Sequence, residues 1–180
     1  MEALLLACLD VDYRAEGIAV AAGVWFRGWT AEREETRAMA GFSEVAPYEP
    51  GAFYRRELPC LLGVLRNGPQ ADLIIVDGYV TLAPGHPGLG VHLHEALERK
   101  VPVVGVAKTR YHSATDAIEV RRGQSESPLF VTAIGIEAPA AAEEVLRMHG
   151  PYRVPTLLRN VDQLARHGMP DRIEPLQANR

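Results

Sequence analysis

Asp10, Glu57 and Asp77 are acidic side chains set in or beside apolar runs, and Lys108 follows another such run. Isolated charges are expensive to bury, so acids in such places are paired, bind a metal or sit at the mouth of a site. Oxygen-rich carboxylate groups select hard divalent cations, Mg²⁺ or Mn²⁺, over zinc. Such an ion neutralises phosphate charge and activates water for in-line attack. A lysine among these acids is their natural counter-charge. The plainer alternatives are an Asp77 that caps the turn after its strand and a Glu57 in an intrahelical ion pair with Arg55 or Arg56.

These residues must be positioned by regular elements. Leu73–Val76 is a continuous apolar run, the signature of a strand buried on both faces, with Asp77 as its last residue and Gly78 just beyond. Ala3–Leu9 is a similar run ending at Asp10, and alternation puts Asp10 and Asp12 on one face. Ile18–Phe26 and Trp29–Phe42 read as the next two strands of an antiparallel meander. From Ala52 to Leu65 the spacing is helical, and Glu57 lies on the apolar stripe, four residues after Phe53 and four before Leu61. Leu89–Arg99 reads as a helix and Val101–Val106 as a third buried strand. Ala117–Glu137 reads as a hairpin turning at Gly123, followed by helices over Ala140–Met148 and Thr156–Arg166, with Thr156 as N-cap. The order predicts an α/β fold, a mixed sheet with helices on both faces.

At 180 residues, with 47% hydrophobic and 23% charged residues, the chain reads as one domain, a core over about 3–168 and a tail over 169–180. A net charge of −4 excludes generic polyanion binding. Cys8 and Cys60 have no metal-ligand or redox spacing and read as packed thiols. No leader pattern and no membrane-length apolar span is present, so the expected compartment is the cytoplasm.

Further blocks make a more specific pattern: Leu9-Asp10-Val11; Pro47-Tyr48-Glu49-Pro50-Gly51 with Arg56-Glu57 behind it; Val76-Asp77-Gly78; Gly88-Leu89-Gly90-Val91-His92-Leu93; and Pro102-Val103-Val104-Gly105-Val106-Ala107-Lys108. Pro128-Leu129-Phe130-Val131 and Val154-Pro155-Thr156 continue it. Together they resemble the endonuclease V family, which nicks nucleic acid near inosine. The resemblance implies a ribonuclease H-like fold and a Mg²⁺ site formed by Asp10, Glu57 and Asp77. It implies that Lys108 steadies the attacking water or the scissile phosphate. It also implies that the Pro47–Pro50 turn is a wedge, with Tyr48 replacing a flipped-out base, and that Gly51, Gly78 and Leu89 line the base pocket. Cleavage would fall at the second phosphodiester 3′ of inosine, in DNA, RNA or both, by a monomer.

The chain also departs from the family pattern. Ala83-Pro84-Gly85 stands where the family has His-Pro-Arg, so the phosphate-side histidine and arginine are missing there, and His86 is the candidate substitute. Leu157 stands for the arginine after Pro-Thr, Asn160 for a later Asp or His, and Asp12 is an extra acid. The alternative function is a non-catalytic or retargeted nucleic-acid-binding protein of the same fold.

Overall fold

The computed structural model describes residues 2–176. The chain opens with the meander: β1 (Leu5–Arg14), β2 (Ile18–Arg27) and β3 (Thr36–Ser43). Then follow α1 (Phe53–Leu65), β4 (Leu73–Asp77), a small hairpin of β5 (Thr81–Ala83) and β6 (His86–Pro87), and α2 (Leu89–Ala96). The rest is β7 (Val103–Ala107), β8 (Ile118–Val120), β9 (Leu129–Ile134), α3 (Ala138–Arg147), α4 (Thr156–His167) and β10 (Ile173–Pro175). Eight of the strands form one mixed sheet in the order β10-β3-β2-β1-β4-β7-β9-β8. Parallel pairing joins β1 to β4 and β4 to β7, antiparallel pairing extends both flanks, and β10 adds a parallel edge beside β3.

Alternation divides the core between the two faces of this sheet. Leu6, Cys8, Leu73, Ile75, Val104 and Val106 point toward α3 and α4. Leu5, Ala7, Leu9, Ile74, Val76 and Val103 point toward α1 and α2. Asp10, Asp77 and Lys108 continue the first series, so the strands aim all three toward α4. Arg14, at the end of β1, donates to the carbonyls of Ala165 and Gly168 at 2.9 and 2.7 Å. It thereby satisfies carbonyls that the end of α4 leaves free and staples that helix to β1.

Several boundaries differ from the sequence reading. Asp10 does not end its strand, because antiparallel pairing with β2 carries β1 on to Arg14. It does mark where the parallel neighbour stops, since Leu9–Val76 is the last registered pair of β1 with β4. The third strand begins only at Thr36, after a bend-rich stretch from Gly28. Residues 173–175, read as tail, pair in parallel with β3. Pro155, not Thr156, is the N-cap of α4, and the Thr156 hydroxyl lies 3.0 Å from His149 Nδ1 instead. Glu57 makes no ion pair with its neighbours: Arg55 turns to Glu49 at 3.6 Å, and the Arg56 guanidinium lies 3.4 Å over the Tyr13 ring centre.

Candidate metal centre

Where β1 and β4 part, Asp10 and Asp77 come side by side, each one step past the last registered pair. A third carboxylate arrives from α4. One ligand oxygen from each of Asp10, Asp77 and Asp162 lies within 4.8 Å of the other two. Lys108, just past β7, holds the group together electrostatically: its Nζ is 2.8 Å from Asp77 Oδ2 and 3.8 Å from Asp162 Oδ1. Asp77 therefore faces a counter-charge instead of capping its turn. Below the acids a cavity of about 20 Å³ is walled by Cys8, Ile75, Val106 and Leu129. The floor of the site is apolar, and that strengthens the fields above it.

Glu57 enters from α1 on the opposite face. It is buried, and its Oε2 has no hydrogen-bond partner. Burial first, then the charges of Asp10 and Asp77, push its carboxyl well above the usual range. Asp10 is pushed up to about 7, first by burial and next by Asp77; the Val11 amide and Lys108 pull the other way. Crowded carboxylates with raised values and one orphaned buried oxygen are what a cation would relieve. The donor set, all carboxylate oxygen, fits Mg²⁺ or Mn²⁺. Asp10, Asp77 and Asp162 would hold the ion, with Glu57 close enough to sense both strand acids.

The sequence reading does not single out Asp162; it takes Asn160 as the position where the family has a later Asp or His. On α4 these two residues are about 200° apart. Asn160 points outward, 3.5 Å from Glu34, while Asp162 follows the buried Val161. The signal was available: an acid beside the apolar stripe of Leu158, Val161 and Ala165, the same argument that singled out Glu57.

The rim residues are placed differently. Pro47, Tyr48, Glu49 and Pro50 lie in an exposed loop, with the Tyr48 ring 61% exposed and 6.5 Å from Phe53. Gly51 and Gly78 have positive φ of 78° and 136°, and a Cβ on either would meet nothing within 4 Å, so the space before them is open. Leu89 buries its side chain between the helices, so only its backbone is left to line a pocket. His86 sits in the β5–β6 hairpin with Nδ1 3.2 Å from its own neighbour's carbonyl, that of Pro84. It makes no hydrogen bond to the acid group.

The family model described as Endonuclease V matches residues 2–137. The endonuclease V of Rhodospirillum centenum is 34% identical over 144 residues, a match that spans 66% of this chain and 58% of that protein. The crystal structure of the Streptomyces avermitilis endonuclease V superposes with a TM-score of 0.74 at 26% identity, covering 90% of this chain and 79% of that one. The Ciona intestinalis endonuclease V, solved with a 24mer DNA containing an inosine followed by a ribo-adenosine, gives 0.72 at 18% identity over 91% and 84% of the two chains. The architecture shared with these neighbours is the ribonuclease H-like fold. The matched stretch carries Asp10, Glu57, Asp77 and Lys108 but stops before α3, so Asp162 lies outside it.

Proposed function

The chain belongs to the endonuclease V family, and from that premise we propose that it is a divalent-ion-dependent endonuclease for inosine-containing DNA or RNA. It nicks at the second phosphodiester 3′ of the altered base, in repair of deamination. The single observation that carries this reading is the convergence of Asp10, Asp77 and Asp162 beneath Lys108.

A Mg²⁺ or Mn²⁺ ion, when bound, supplies charge neutralisation and a more acidic water. The protein's own groups do the rest. Lys108 offers an ammonium that can meet a phosphate oxygen once substrate competes with Asp77. Asp10, whose carboxyl burial and the Asp77 charge hold up at about 7 in the metal-free protein, would be ionised in holding the ion beside Asp77 and Asp162. Tyr48, exposed on its proline-bounded loop, can fill the stack left by a flipped base, and Glu49 paired with Arg55 braces that loop. The open space at Gly51 and Gly78, beside the start of α2 at Leu89, offers room for the base edge. The buried, unpaired thiols of Cys8 and Cys60 suit a reducing compartment, the cytoplasm. Among the described residues no helix is long and apolar enough to cross a membrane.

A second reading, a nuclease centre retargeted to another substrate, is favoured by the β5–β6 hairpin, where His86 hydrogen-bonds within its own turn. Matched DNA and RNA oligonucleotides, with and without one inosine, incubated with Mg²⁺, Mn²⁺ or chelator, separate the two. Inosine- and metal-dependent nicks support the first reading. Metal-dependent cleavage indifferent to inosine supports the second, and no cleavage of any substrate refutes both.

A further inference from the structure

Lys108 is paired with both Asp77 and Asp162 at the centre, and its backbone is fastened from two sides. From the end of β4, the Tyr79 hydroxyl donates to the Thr109 carbonyl at 2.7 Å and accepts from the Tyr111 amide at 2.9 Å. From the loop between α3 and α4, the Arg153 guanidinium donates to the Lys108 carbonyl and, at 2.8 Å, to that of Pro128. Among the described residues Arg153 has no carboxylate partner, so its charge is devoted to these carbonyls. The loop that presents it is itself tied down. Buried Arg122 donates to the carbonyls of Leu146, Met148, Gly150, Tyr152 and Arg153. None of these side chains reaches the acid group, yet together they fix the segment from which Lys108 extends.

We infer that Tyr79 and Arg153 are positioning residues that set the Lys108 ammonium over Asp77 and Asp162, with Arg122 holding the loop that carries Arg153. The inference rests on the nuclease reading for its kinetic consequence and on the geometry alone for its structural one. An error of about 1 Å in placing a working group costs up to about 10²-fold in rate. Tyr79→Phe, which removes one oxygen, should therefore lower kcat about 10–100-fold while KM stays within about threefold. Arg153→Met should do the same, and Arg153→Lys, which can still reach one carbonyl, should recover part of the loss. In a Lys108→Ala background each substitution should cost less than about twofold, because the group it positions is gone.

A second readout does not depend on cleavage. Lys108 and Lys100 are the only lysines in the sequence, so brief acylation of the free protein, mapped by mass spectrometry, reports Lys108 with Lys100 as internal reference. Freed from its seat, Lys108 should label at least about threefold faster relative to Lys100 in Tyr79→Phe, at an unchanged thermal midpoint. Full additivity with Lys108→Ala, or an unchanged labelling ratio in folded Tyr79→Phe, overturns the inference. Should Arg153→Met fail to fold, Tyr79→Phe decides alone. A parent that cuts nothing refutes the nuclease reading, and the labelling ratio still decides the positioning.

Discussion

The acid centre and the loops around it are built on opposite principles. At the centre, Asp10, Asp77, Asp162 and Lys108 stand on, or one step past, packed strands and a helix and answer one another's charges. At the rim, Tyr48 stands exposed and His86 bonds within its own turn. A change at the centre disturbs a network anchored in the core, whereas a change at the rim is absorbed locally. Ala83 and Gly85, where the resemblance implies a histidine and an arginine, both lie in the rim hairpin.

The contrast can be broken at several points. The largest effect is expected from Asp77→Ala, which removes a proposed ligand and the nearest partner of Lys108; cleavage should fall at least about 10³-fold with the fold retained by circular dichroism. Retention of the parental rate in Mg²⁺ would place the centre elsewhere. Asp162→Asn should weaken metal affinity about 10–100-fold by calorimetry, while Asn160→Ala leaves it within about twofold. The reverse ranking would mean that α4 is rotated in solution.

The raised carboxyl of Asp10 predicts a pH signature. The folded protein keeps this proton up to about 7, whereas the unfolded chain releases it near about 4. Between these values the folded state binds more protons, so stability of the metal-free protein should fall as pH rises, by a few kcal/mol at most. Glu57 acts in the same sense. Above about 7 the Asp10 contribution is flat, and saturating Mg²⁺ should remove most of the slope. Thermal midpoints from pH 4 to 8, with and without the ion, measure this. A metal-free midpoint that rises through the window would contradict the raised carboxyl.

At the rim the effects should shrink. Tyr48→Ala should weaken binding to inosine-containing duplex by about 1–3 kcal/mol, and a single-stranded site by less, since only the duplex needs its stack refilled. Equal losses in fluorescence anisotropy would make Tyr48 a turn residue. His86→Ala should change the rate by less than about twofold across pH 6–8. A loss of about 10²-fold or more would mean that the hairpin folds over the phosphate when substrate binds.

How much of this was legible in the sequence followed from how local each signal is. The buried strands and their terminal Asp77 are written in contiguous apolar runs, and Glu57 betrayed itself by lying on an apolar stripe. Asp162 carried the same kind of signal and was passed over, because the Pro-Thr block drew attention to Asn160, on the far side of the helix. The extension of β1 beyond Asp10 depends on pairing with β2, and the short β10 depends on an open edge at β3. Neither partner can be read from the segment itself. The clamps on Lys108 join residues 30, 32 and 45 positions apart in the chain, beyond the reach of any periodicity.

The staple between Arg14 and the end of α4 bears on how this protein could be cut down. Residues 2–137 are the stretch the family model matches, and an engineer seeking a minimal nuclease would be tempted to stop there. That excision would discard Leu157, Val161 and Ala165, and with them the apolar cover over Cys8, Ile75 and Val106. It would leave Arg14 without the carbonyls it bonds and expose one side of the sheet as an adhesive surface. Such a fragment should collect in inclusion bodies, and the shortest soluble version must run through Gly168.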